Sequence, residues 1–344
     1  MGKGISVAGR KEDIGSFLTI LKGQIFEHIT SIEFQQSFGV KKIVIAGGTG
    51  HLGSSLANRL IQEGHSVRMF TRKVPKNNSR ILYSYWDGET PGPWIRDLDG
   101  SDVLINLCGK SVDCRYTEAN KLKLIASRVK STTLLGQAIG KCKKPPSLWI
   151  NSSSSAYYGF SEKIVNEYCQ PGDDFPATIC VKWEHAFFST QTPGTRKVAW
   201  RLGVVLQSGK GLIEPFVRLA KSGIGGKLGT GKQYFTWIHE KDFLNAAMWT
   251  INHPSVEGVY NLTSPEPVTN AVFMNALRGA VGVPLGISLP SWLIYLGGKI
   301  IGTEPYLVLD GRRVVPDRLL DSGFEFSFPG INHCLSDLFK SASV

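Results

Sequence analysis

The feature that most constrains the fold is a glycine-rich turn near residue 50. Residues 43–46 form an apolar, β-branched run, which is typical of a strand buried on both faces. Gly47, Gly50 and Gly53 follow, and residues 54–61 then place apolar side chains at helical spacing. In such strand–turn–helix units the first glycine permits a tight turn, the second lets the backbone approach a pyrophosphate, and the third lets the helix pack on the strand. The stretch predicts a dinucleotide-binding turn rather than a βα turn that is glycine-rich by chance.

Strands and helices alternate along the following part of the chain. Further strands are predicted at 66–70, 81–86, 102–107, 147–151, 197–201 and 258–262, and a helical pattern covers about 118–139. This alternation predicts an α/β fold with a doubly wound parallel sheet. Because ligands bind beyond the carboxyl ends of the strands in such sheets, the polar and glycine residues at those ends form the candidate site. These residues are 47–53, Arg72, Asp87, Cys108, Gly109 and 152–155.

The end of the second predicted strand indicates which nicotinamide cofactor binds. NAD-binding folds place an acidic residue about 20 positions after the glycine motif, where it accepts hydrogen bonds from the ribose 2′-hydroxyl. Thr71, Arg72 and Lys73 stand there instead, and no carboxylate occurs between Gly64 and Ser84. A guanidinium can grip a 2′-phosphate with two hydrogen bonds. The stretch predicts NADP, with Arg72 as the main discriminator; the alternative is a pair of exposed basic residues at the start of a loop.

Charge and cysteine content narrow the classes of partner. Lys and Arg number 39 against 28 Asp and Glu, an excess of 11, and much of the excess lies between Lys110 and Lys144. No aromatic platform or nucleic-acid motif accompanies this basic region, which favours a solvated helix face over nucleic-acid binding. The six cysteines form no Cys-x-x-Cys pair and no His-Glu-x-x-His motif occurs. We expect reduced thiols, a cytoplasmic location and no metal site.

Two segments raise the question of targeting or a membrane. Residues 1–40 lack the long apolar run of a secretory signal and contain an amphipathic pattern over 14–29. Residues 279–298 have no charged side chain, but Pro284, Pro290 and several glycines interrupt them. This interruption predicts a buried, broken helix rather than a membrane span, so no membrane partner is expected.

Several motifs beyond the glycine turn resemble those of a known superfamily. The glycine turn, Asn106-Leu107-Cys108-Gly109 and Ser155-Ala156-Tyr157-Tyr158-Gly159 look like those of the extended and atypical short-chain dehydrogenases/reductases. Four further runs are similar to the epimerase-like subfamily 39U: Lys182-Trp183-Glu184, Arg201-Leu202-Gly203-Val204-Val205-Leu206, Trp237-Ile238-His239 and Tyr260-Asn261. Gly311-Arg312-Arg313-Val314-Val315-Pro316 looks like the marker of that subfamily's small C-terminal domain.

The resemblance carries expectations about fold, domains and ligand. It implies a Rossmann-type core, a bound NADP and relatives that act on sugar nucleotides. It divides the chain into an N-terminal extension (1–40), an NAD(P)-binding epimerase-like domain (41–283) and a smaller C-terminal α/β lobe (284–340).

The catalytic pattern that the superfamily generally uses is incomplete in this chain. Its members use a Tyr four residues before a Lys, whose cation lowers the phenol pKa from about 10, together with a Ser that polarises the substrate oxygen. Thr178 stands where the Tyr is expected before Lys182. The Tyr-x-x-x-Lys match that does occur, Tyr295 with Lys299, lies in the C-terminal apolar segment and is interpreted as coincidence.

Three kinds of side chain remain as catalytic candidates. We expect Lys182 to bind the nicotinamide ribose, Tyr158 or Tyr157 to supply a phenol, and Ser153 or Ser154 to hydrogen-bond the substrate. A packed aromatic turn and an exposed helix lysine are the structural alternatives. The predicted catalytic set is Ser153, Tyr158 and Lys182. The predicted cofactor-binding set is Gly47, Thr49, Gly50, His51, Leu52, Gly53, Arg72, Asp87, Leu107, Cys108, Gly109 and Lys182.

Taken together, these patterns predict an NADP-binding oxidoreductase or epimerase that acts on a carbinol or carbonyl substrate, with a sugar nucleotide as one candidate. The alternative is a non-catalytic NADP-binding regulatory protein, which the missing tyrosine favours. Cys108 is expected to be a small core side chain rather than a nucleophile, and Trp237 and His239 are expected to line the substrate pocket. The expected partner is a small molecule, and a homodimer is left open.

Overall fold

The computed structural model describes residues 39–75, 80–302 and 304–340. From Lys41 onward the described residues pack around one central sheet. The amphipathic pattern expected over 14–29 lies outside the described residues.

Seven strands form the central sheet, and every pairing between neighbours is parallel. In chain order they are β1 (Lys42–Ala46), β2 (Ser66–Thr71), β3 (Leu82–Tyr85), β4 (Val103–Asn106), β5 (Leu148–Ser154), β7 (Arg196–Leu202) and β11 (Gly258–Leu262). Across the sheet the order is β11-β7-β5-β4-β1-β2-β3, so it reverses between β1 and β4. Such a reversal creates the crevice in which ligands bind in open α/β sheets. The predicted doubly wound parallel sheet is confirmed.

Helices and short strands complete the described structure. The helices are α1 (His51–Gln62), α2 (Trp94–Leu98), α3 (Glu118–Ile139), α4 (Phe175–Ser189), α5 (Glu214–Lys221), α6 (Glu240–Asn252), α7 (Asn270–Ala280), α8 (Ser291–Ile301), α9 (Tyr306–Leu309), α10 (Asp317–Asp321) and α11 (Ile331–Lys340). The short strands are β6 (Ser161–Val165), β8 (Val204–Leu206), β9 (Tyr234–Phe235), β10 (Trp237–His239), β12 (Val268–Thr269) and β13 (Arg312–Val314). Strand β6 pairs with β13 and β8 pairs with β10, both in parallel, while β9 and β12 are antiparallel.

The apolar run of β1 is continuous because the strand is buried on both faces. Ile43 and Ile45 pack into one cluster with residues of α1 and α6. Val44 and Ala46 pack into a second cluster with residues of α3 and α4 on the opposite face. Burying an apolar side chain of the size of Ile or Val contributes about 1.5–3 kcal/mol, so both layers of helices hold the strand in place.

Local sequence signals fix most element boundaries closely. Helix α3 has the predicted bounds, and the Thr117 side chain caps its first turn by accepting a hydrogen bond from the Asn120 N–H. The main difference is β5, which runs on to Ser154 instead of ending at Asn151. Residues 152–154 therefore belong to the strand. The serines that were predicted to lie beyond the strand end are buried or half-buried within it.

The C-terminal segment shares core with the rest of the described chain. Phe328, Ile331 and Leu335 lie in the same hydrophobic cluster as Phe273 and Leu277 of α7. Strand β13 also pairs with β6, which follows the end of β5. The boundary predicted near residue 284 stays a prediction.

The apolar segment around α8 is exposed, so the expectation of a buried helix there is wrong. Leu285 is 80% exposed, Trp292 67% and Ile300 79% in the described structure. Apolar content alone suggested burial, but no described element covers these side chains. Within the described ranges, no helix is both long and apolar enough to cross a membrane.

Candidate functional site

The glycine turn after β1 has the geometry that its sequence predicts. Gly47 has a φ of +74°, a conformation that favours glycine, and a Cβ there would lie 2.7 Å from the Cys108 Sγ. A Cβ on Gly53 would lie 2.5 Å from the Gly48 Cα, so α1 can approach the turn this closely only with glycine at that position. By contrast, a Cβ on Gly50 would meet nothing within 4 Å. The space beside Gly50 is therefore open to a ligand.

Helix α1 begins beside that open space. Gly50 is its N-cap residue, and no side chain caps the helix. The N–H groups of an uncapped first turn lack partners and carry a partial positive charge, which suits an anion. Thr49 and His51 are exposed, whereas Leu52 is half-buried and packs on the core. The turn fits a dinucleotide pyrophosphate through its backbone rather than through its side chains.

Arg72 stands at the carboxyl end of β2. Its side chain is exposed, and among the described residues it forms no ion pair with a carboxylate. Arg68, on the same strand, instead pairs with Asp97 at 3.4 Å and donates to the Ser84 hydroxyl at 3.0 Å. Of these two arginines, Arg72 is the one whose guanidinium can meet a ligand phosphate.

Asp87 follows β3 and is bound within its own turn. Its Oδ1 accepts the N–H groups of Glu89 and Thr90, and its Oδ2 accepts the Thr90 hydroxyl. The hydrogen bond from the Thr90 hydroxyl and, to a lesser extent, the two backbone hydrogen bonds hold the pKa of the Asp87 carboxyl below its usual range. The side chain lies at the expected edge of the sheet, and its contact with a cofactor stays a prediction.

The end of β4 places Leu107, Cys108 and Gly109 next to the glycine turn. The Leu107 N–H donates to the Ala46 carbonyl oxygen at 2.9 Å, and the Cys108 N–H donates to the Asn106 Oδ1 at 3.1 Å. Burial raises the pKa of the Cys108 thiol to about 12, so the thiolate needed for nucleophilic attack is scarce at neutral pH. The half-buried Cys108 side chain packs against the cluster that contains Val44 and Ala46, and the contact of Leu107, Cys108 and Gly109 with a cofactor stays a prediction.

A buried polar network beneath the ends of β4 and β5 was missed from sequence. The Asn106 Nδ2 donates to the Thr132 Oγ1 at 3.0 Å and to the Asn151 Oδ1 at 2.7 Å. The Trp183 Nε1 donates to the same Thr132 oxygen at 2.9 Å. Buried amides and hydroxyls must be paired, so this network fixes α3 and α4 against the two strand ends. An asparagine directly after the apolar run of each of the two strands was the signal that could have indicated it.

Ser153, which the sequence predicts to be catalytic, is hydrogen-bonded to a buried ion pair between Glu184 and Arg201. The Glu184 carboxylate accepts two hydrogen bonds from Arg201, at 2.9 and 2.8 Å, and one from the Ser153 hydroxyl at 2.6 Å. All three residues are buried. Burial disfavours the Arg201 cation, but Glu184 outweighs it and raises the pKa of Arg201 above its usual range. The Ser153 hydroxyl is therefore committed to the ion pair rather than directed at the cofactor edge.

Tyr158 extends the same network. Its hydroxyl donates to the Asn261 Oδ1 at 2.8 Å and accepts from the Arg201 Nη1 at 2.9 Å. Burial raises the pKa of Tyr158 well above its usual range. Tyr157 is more exposed, and its ring centroid lies 3.3 Å from the Arg201 Cζ. Both tyrosines pack against the ion pair, as the packed-turn alternative predicts, and their catalytic assignment stays a prediction.

The remaining catalytic candidates lie on α4 and at the end of β5. Lys182 is exposed on α4, and Thr178 is half-buried one turn earlier, its hydroxyl donating to the Asp174 carbonyl oxygen at 3.1 Å. Ser154 is the last residue of β5 and is half-buried, unlike Ser153. Lys182 and Ser154 are thus the more accessible of these candidates, whereas Ser153 and Tyr158 belong to the buried network, and the roles of all four stay predictions.

Trp237 and His239 do not line an open pocket, and that expectation is wrong. Trp237 is 0% exposed and His239 1% exposed. The His239 Nδ1 accepts the Lys241 N–H at 3.0 Å and so caps α6, and its ring stacks on Phe328 at 3.9 Å. Both residues join β10 to the C-terminal segment. In the described part of the chain, no cluster of three or more His, Cys, Asp or Glu could hold a metal ion.

Comparison with known proteins identifies relatives across most of the chain. Residues 43–263 match the NAD dependent epimerase/dehydratase family, and residues 289–338 match a domain of unknown function, DUF1731. An epimerase family protein of Staphylococcus epidermidis is 30% identical over 305 residues, which cover 88% of this chain and 100% of the relative. One from Mycobacterium tuberculosis is 34% identical over 295 residues, which cover 85% and 96%.

Solved structures give the same result. The human epimerase family protein SDR39U1 (isoform 2), crystallised with NADPH, is 30% identical with a TM-score of 0.77 and covers 87% of this chain and 99% of its own. A nucleoside-diphosphate sugar epimerase from Corynebacterium glutamicum is 26% identical with a TM-score of 0.71, covering 92% and 63%. The resemblance indicated by the motifs is confirmed: the chain belongs to the NAD-dependent epimerase/dehydratase family, in the group that carries a C-terminal DUF1731 domain.

Proposed function

We propose that this protein is an NADP-dependent oxidoreductase or epimerase that acts on a carbinol or carbonyl group. The observation that carries the proposal is an open, uncapped glycine turn next to an exposed arginine at the end of the neighbouring strand. The first N–H groups of α1 bind the pyrophosphate, and Arg72 binds the 2′-phosphate with paired hydrogen bonds. The human relative crystallised with NADPH supports this choice of cofactor.

Lys182 and Ser154 supply polar groups at the accessible end of the site. When bound, the cofactor supplies or accepts the hydride. Lys182 donates hydrogen bonds to the nicotinamide ribose. Ser154 hydrogen-bonds the substrate oxygen, because the alternative, the Ser153 hydroxyl, already donates to Glu184.

A tyrosine at the end of β5 handles the substrate proton. Tyr158 is the sequence-predicted candidate, but proton release from it requires loss of the hydrogen bond to Asn261 and ionisation of a buried phenol. Tyr157 is less buried, and its ring lies against the Arg201 guanidinium. The contacts therefore support Tyr157 as the stronger candidate for the general acid or base.

Two reaction types fit the same residues. An epimerase oxidises a carbinol, lets the ketone present its other face and reduces it again with the same cofactor molecule, whereas a reductase releases the oxidised cofactor after each turnover. The nucleoside-diphosphate sugar epimerase among the relatives supports a sugar nucleotide as substrate. The absent tyrosine at Thr178 and the buried Tyr158 support the second candidate, a non-catalytic protein that responds to NADP occupancy.

The proposal is tested by two measurements on the purified chain. Mass spectrometry of co-purifying small molecules is expected to detect NADP or NADPH. An activity assay with a panel of carbonyl compounds and sugar nucleotides is expected to show turnover of a subset, either as NADPH oxidation at the reduced-nicotinamide absorbance band or as epimerisation of the sugar followed by NMR. NADPH binding without oxidation or epimerisation of any compound would favour the regulatory protein, and absence of NADPH binding would reject both.

A further inference from the structure

Helix α8 turns apolar side chains away from the protein. Trp292, Leu296 and Ile300 are exposed and follow one another at four-residue spacing, so they lie along one face of the helix. On the inner side, the half-buried Ile294 packs against the core cluster that includes residues of α7 and α11, and Gly298 is buried. The helix therefore rests on the protein by one side and leaves an apolar face outside, which is the reverse of an ordinary surface helix.

The exposed apolar surface extends beyond that face. Five more apolar or aromatic residues of α8 and of the segment before it are exposed: Leu285, Ile287, Leu293, Tyr295 and Ile301. We call these five residues, together with Trp292, Leu296 and Ile300, the α8 surface. Large apolar patches on a protein surface mark sites of interaction with a protein or a membrane.

The two chain segments that meet at the α8 surface are basic. Residues 215–239 and 267–303 contain no Asp or Glu, and their six Lys and Arg residues are Arg218, Lys221, Lys227, Lys232, Arg278 and Lys299. Among the described residues, none of these six forms an ion pair with a carboxylate. Their positive charge is therefore not compensated locally.

Backbone and side-chain hydrogen bonds hold the two segments together. The Leu289 N–H, just before α8, donates to the Lys227 carbonyl oxygen at 3.0 Å. The Arg278 Nη1 donates to the Gly225 carbonyl oxygen at 2.8 Å, and Lys299 is exposed on α8 itself. Basic residues thus border the α8 surface.

We propose that the α8 surface docks on an anionic membrane surface. Its apolar side chains enter the boundary between the lipid headgroups and the acyl chains, and the bordering basic side chains meet the lipid phosphates. Trp292 and Tyr295 carry the amphipathic rings that concentrate at headgroup level in membrane proteins. Lys299 can lay its alkyl stem along the apolar face and extend its ammonium to a phosphate.

This contact is with the surface of the bilayer and is not a span. Helix α8 has 11 residues, which corresponds to a length of about 17 Å. The hydrocarbon core of a bilayer is about 30 Å thick. The helix is therefore expected to lie in the plane of the interface.

Two observations favour a membrane over a protein as the occupant. Leu285 is 80% exposed, and Ile300 and Ile301 are each 79% exposed, so these side chains protrude. A protein partner would need a matching pocket for each of them, whereas lipid chains rearrange around them. A second copy of this chain would bring a second set of basic residues to the interface, and such like charges oppose association.

The test is co-sedimentation of the full chain with vesicles of phosphatidylcholine alone or of an equal mixture of phosphatidylcholine and phosphatidylglycerol. We expect wild type to bind the mixed vesicles about tenfold or more tightly than the phosphatidylcholine vesicles, because several basic side chains border the surface. Added salt is expected to reduce this difference, since it screens exposed charges.

Three substitutions separate the apolar from the electrostatic contribution. Leu296→Gln and Ile300→Gln are each expected to lower the partition coefficient for mixed vesicles about tenfold, because each removes an inserting apolar side chain. Lys299→Gln is expected to lower it about fivefold for mixed vesicles and to leave binding to phosphatidylcholine nearly unchanged.

The matched controls are Leu122→Gln and Lys123→Gln on α3. Both side chains are exposed, and they lie in the other basic region of the chain, residues 110–144. Both variants are expected to bind vesicles as wild type does. Thermal unfolding reports whether each variant is folded. At a position where glutamine prevents folding, alanine replaces it, and the loss of binding is expected in the same direction.

Wild type that does not bind the mixed vesicles overturns the proposal, and so does binding by Leu296→Gln and Ile300→Gln that equals wild type. Sedimentation velocity without lipid identifies the other occupants. A wild-type dimer that Ile300→Gln dissociates, together with absent vesicle binding, assigns the α8 surface to a second copy. A monomer that binds no vesicles assigns it to a different protein or to another part of this chain. None of these measurements depends on the proposed function.

Discussion

Arg68 lies within β2 and Arg72 directly follows its last residue, and the surroundings of the two side chains differ. Arg68 is held by Asp97 and Ser84, whereas Arg72 is exposed where a cofactor ribose is expected. The absence of a carboxylate at this strand end removes the group that favours NAD. At the residue scale, we therefore predict that the choice between NADP and NAD depends on the Arg72 guanidinium.

We expect Arg72→Ala to weaken NADPH binding about tenfold or more while leaving NADH binding nearly unchanged, because each charge-assisted hydrogen bond to the 2′-phosphate is worth about 1.5–3 kcal/mol. The measurement is a fluorescence titration of both reduced cofactors against wild type and variant. Arg68→Ala is the control, since that guanidinium already pairs with Asp97. Equal wild-type affinities for both cofactors, or an equal loss for both in Arg72→Ala, would contradict the assignment.

Tyr158 allows structural and catalytic roles to be separated by experiment. Tyr158→Phe deprives Arg201 and Asn261 of a buried partner, so we expect the free energy of unfolding to fall by about 1–3 kcal/mol. Turnover is also expected to fall, as the sequence predicts. Tyr157→Phe is the comparison, measured by urea unfolding and by steady-state kinetics. If Tyr157→Phe loses turnover at full stability and Tyr158→Phe loses only stability, Tyr157 is the phenol that acts.

At the scale of elements, two glycines of one turn serve different purposes. Gly53 leaves room for α1 against Gly48, a contact within the protein. Gly50 leaves room on the outer side, where no described atom lies within 4 Å of a Cβ. The same residue type thus supports packing at one position and ligand approach at the other.

This difference predicts opposite effects for the same substitution. Gly53→Ala is expected to destabilise the fold by about 1–3 kcal/mol, because its Cβ would overlap the Gly48 backbone. Gly50→Ala is expected to leave stability nearly unchanged, since its φ of −74° suits alanine, and to weaken NADPH binding. Thermal unfolding and NADPH titration of both variants check this. A Gly50→Ala protein that binds NADPH like wild type would show that no pyrophosphate approaches that residue.

At the scale of the whole molecule, the sequence predicts those features of the fold that patterns of neighbouring residues determine. The β1 run and the glycine spacing depend on neighbouring residues, so the parallel sheet and the pyrophosphate turn followed from them. The pairing of Glu184 with Arg201, and of Tyr158 with Asn261, joins residues separated by 17 and 103 positions. No local pattern reveals such pairs, and Tyr158 was therefore predicted as catalytic although its hydroxyl is bonded within the core.

Helix α8 and His239 show the same limit of prediction from local sequence. Local apolar content in α8 predicted burial, but burial depends on what packs over the helix, and its side chains are exposed in the described structure. His239 was expected to line a pocket, yet Phe328 from the C-terminal segment stacks on its ring. Both errors arise where distant parts of the chain decide the environment of a side chain.

Attachment of the C-terminal segment makes the stability of the molecule depend on pH. Asp242 of α6 accepts the N–H groups of Ser327 and Phe328, and His239 stacks on the Phe328 ring. Burial lowers the pKa of His239 from 6.5 to about 4, although Asp337, with an oxygen 3.3 Å from its Nε2, opposes this shift. The unfolded chain therefore binds the proton more readily than the folded one.

Because the folded pKa of His239 lies below its unfolded value, stability is unaffected above about pH 7 and falls as pH drops through 6.5 toward 4. Between pH 7.5 and pH 5 this group alone is expected to cost about 2 kcal/mol. In His239→Asn the Asn oxygen can still accept the Lys241 N–H as a helix cap, but no proton is taken up. Urea unfolding of both proteins at the two pH values measures this difference. Between pH 7.5 and pH 5, the free energy of unfolding is expected to fall by about 2 kcal/mol less in the variant than in wild type. Asp242 contributes equally in both proteins. Equal losses would mean that the buried imidazole titrates at its ordinary pKa and that the C-terminal segment does not hold it neutral.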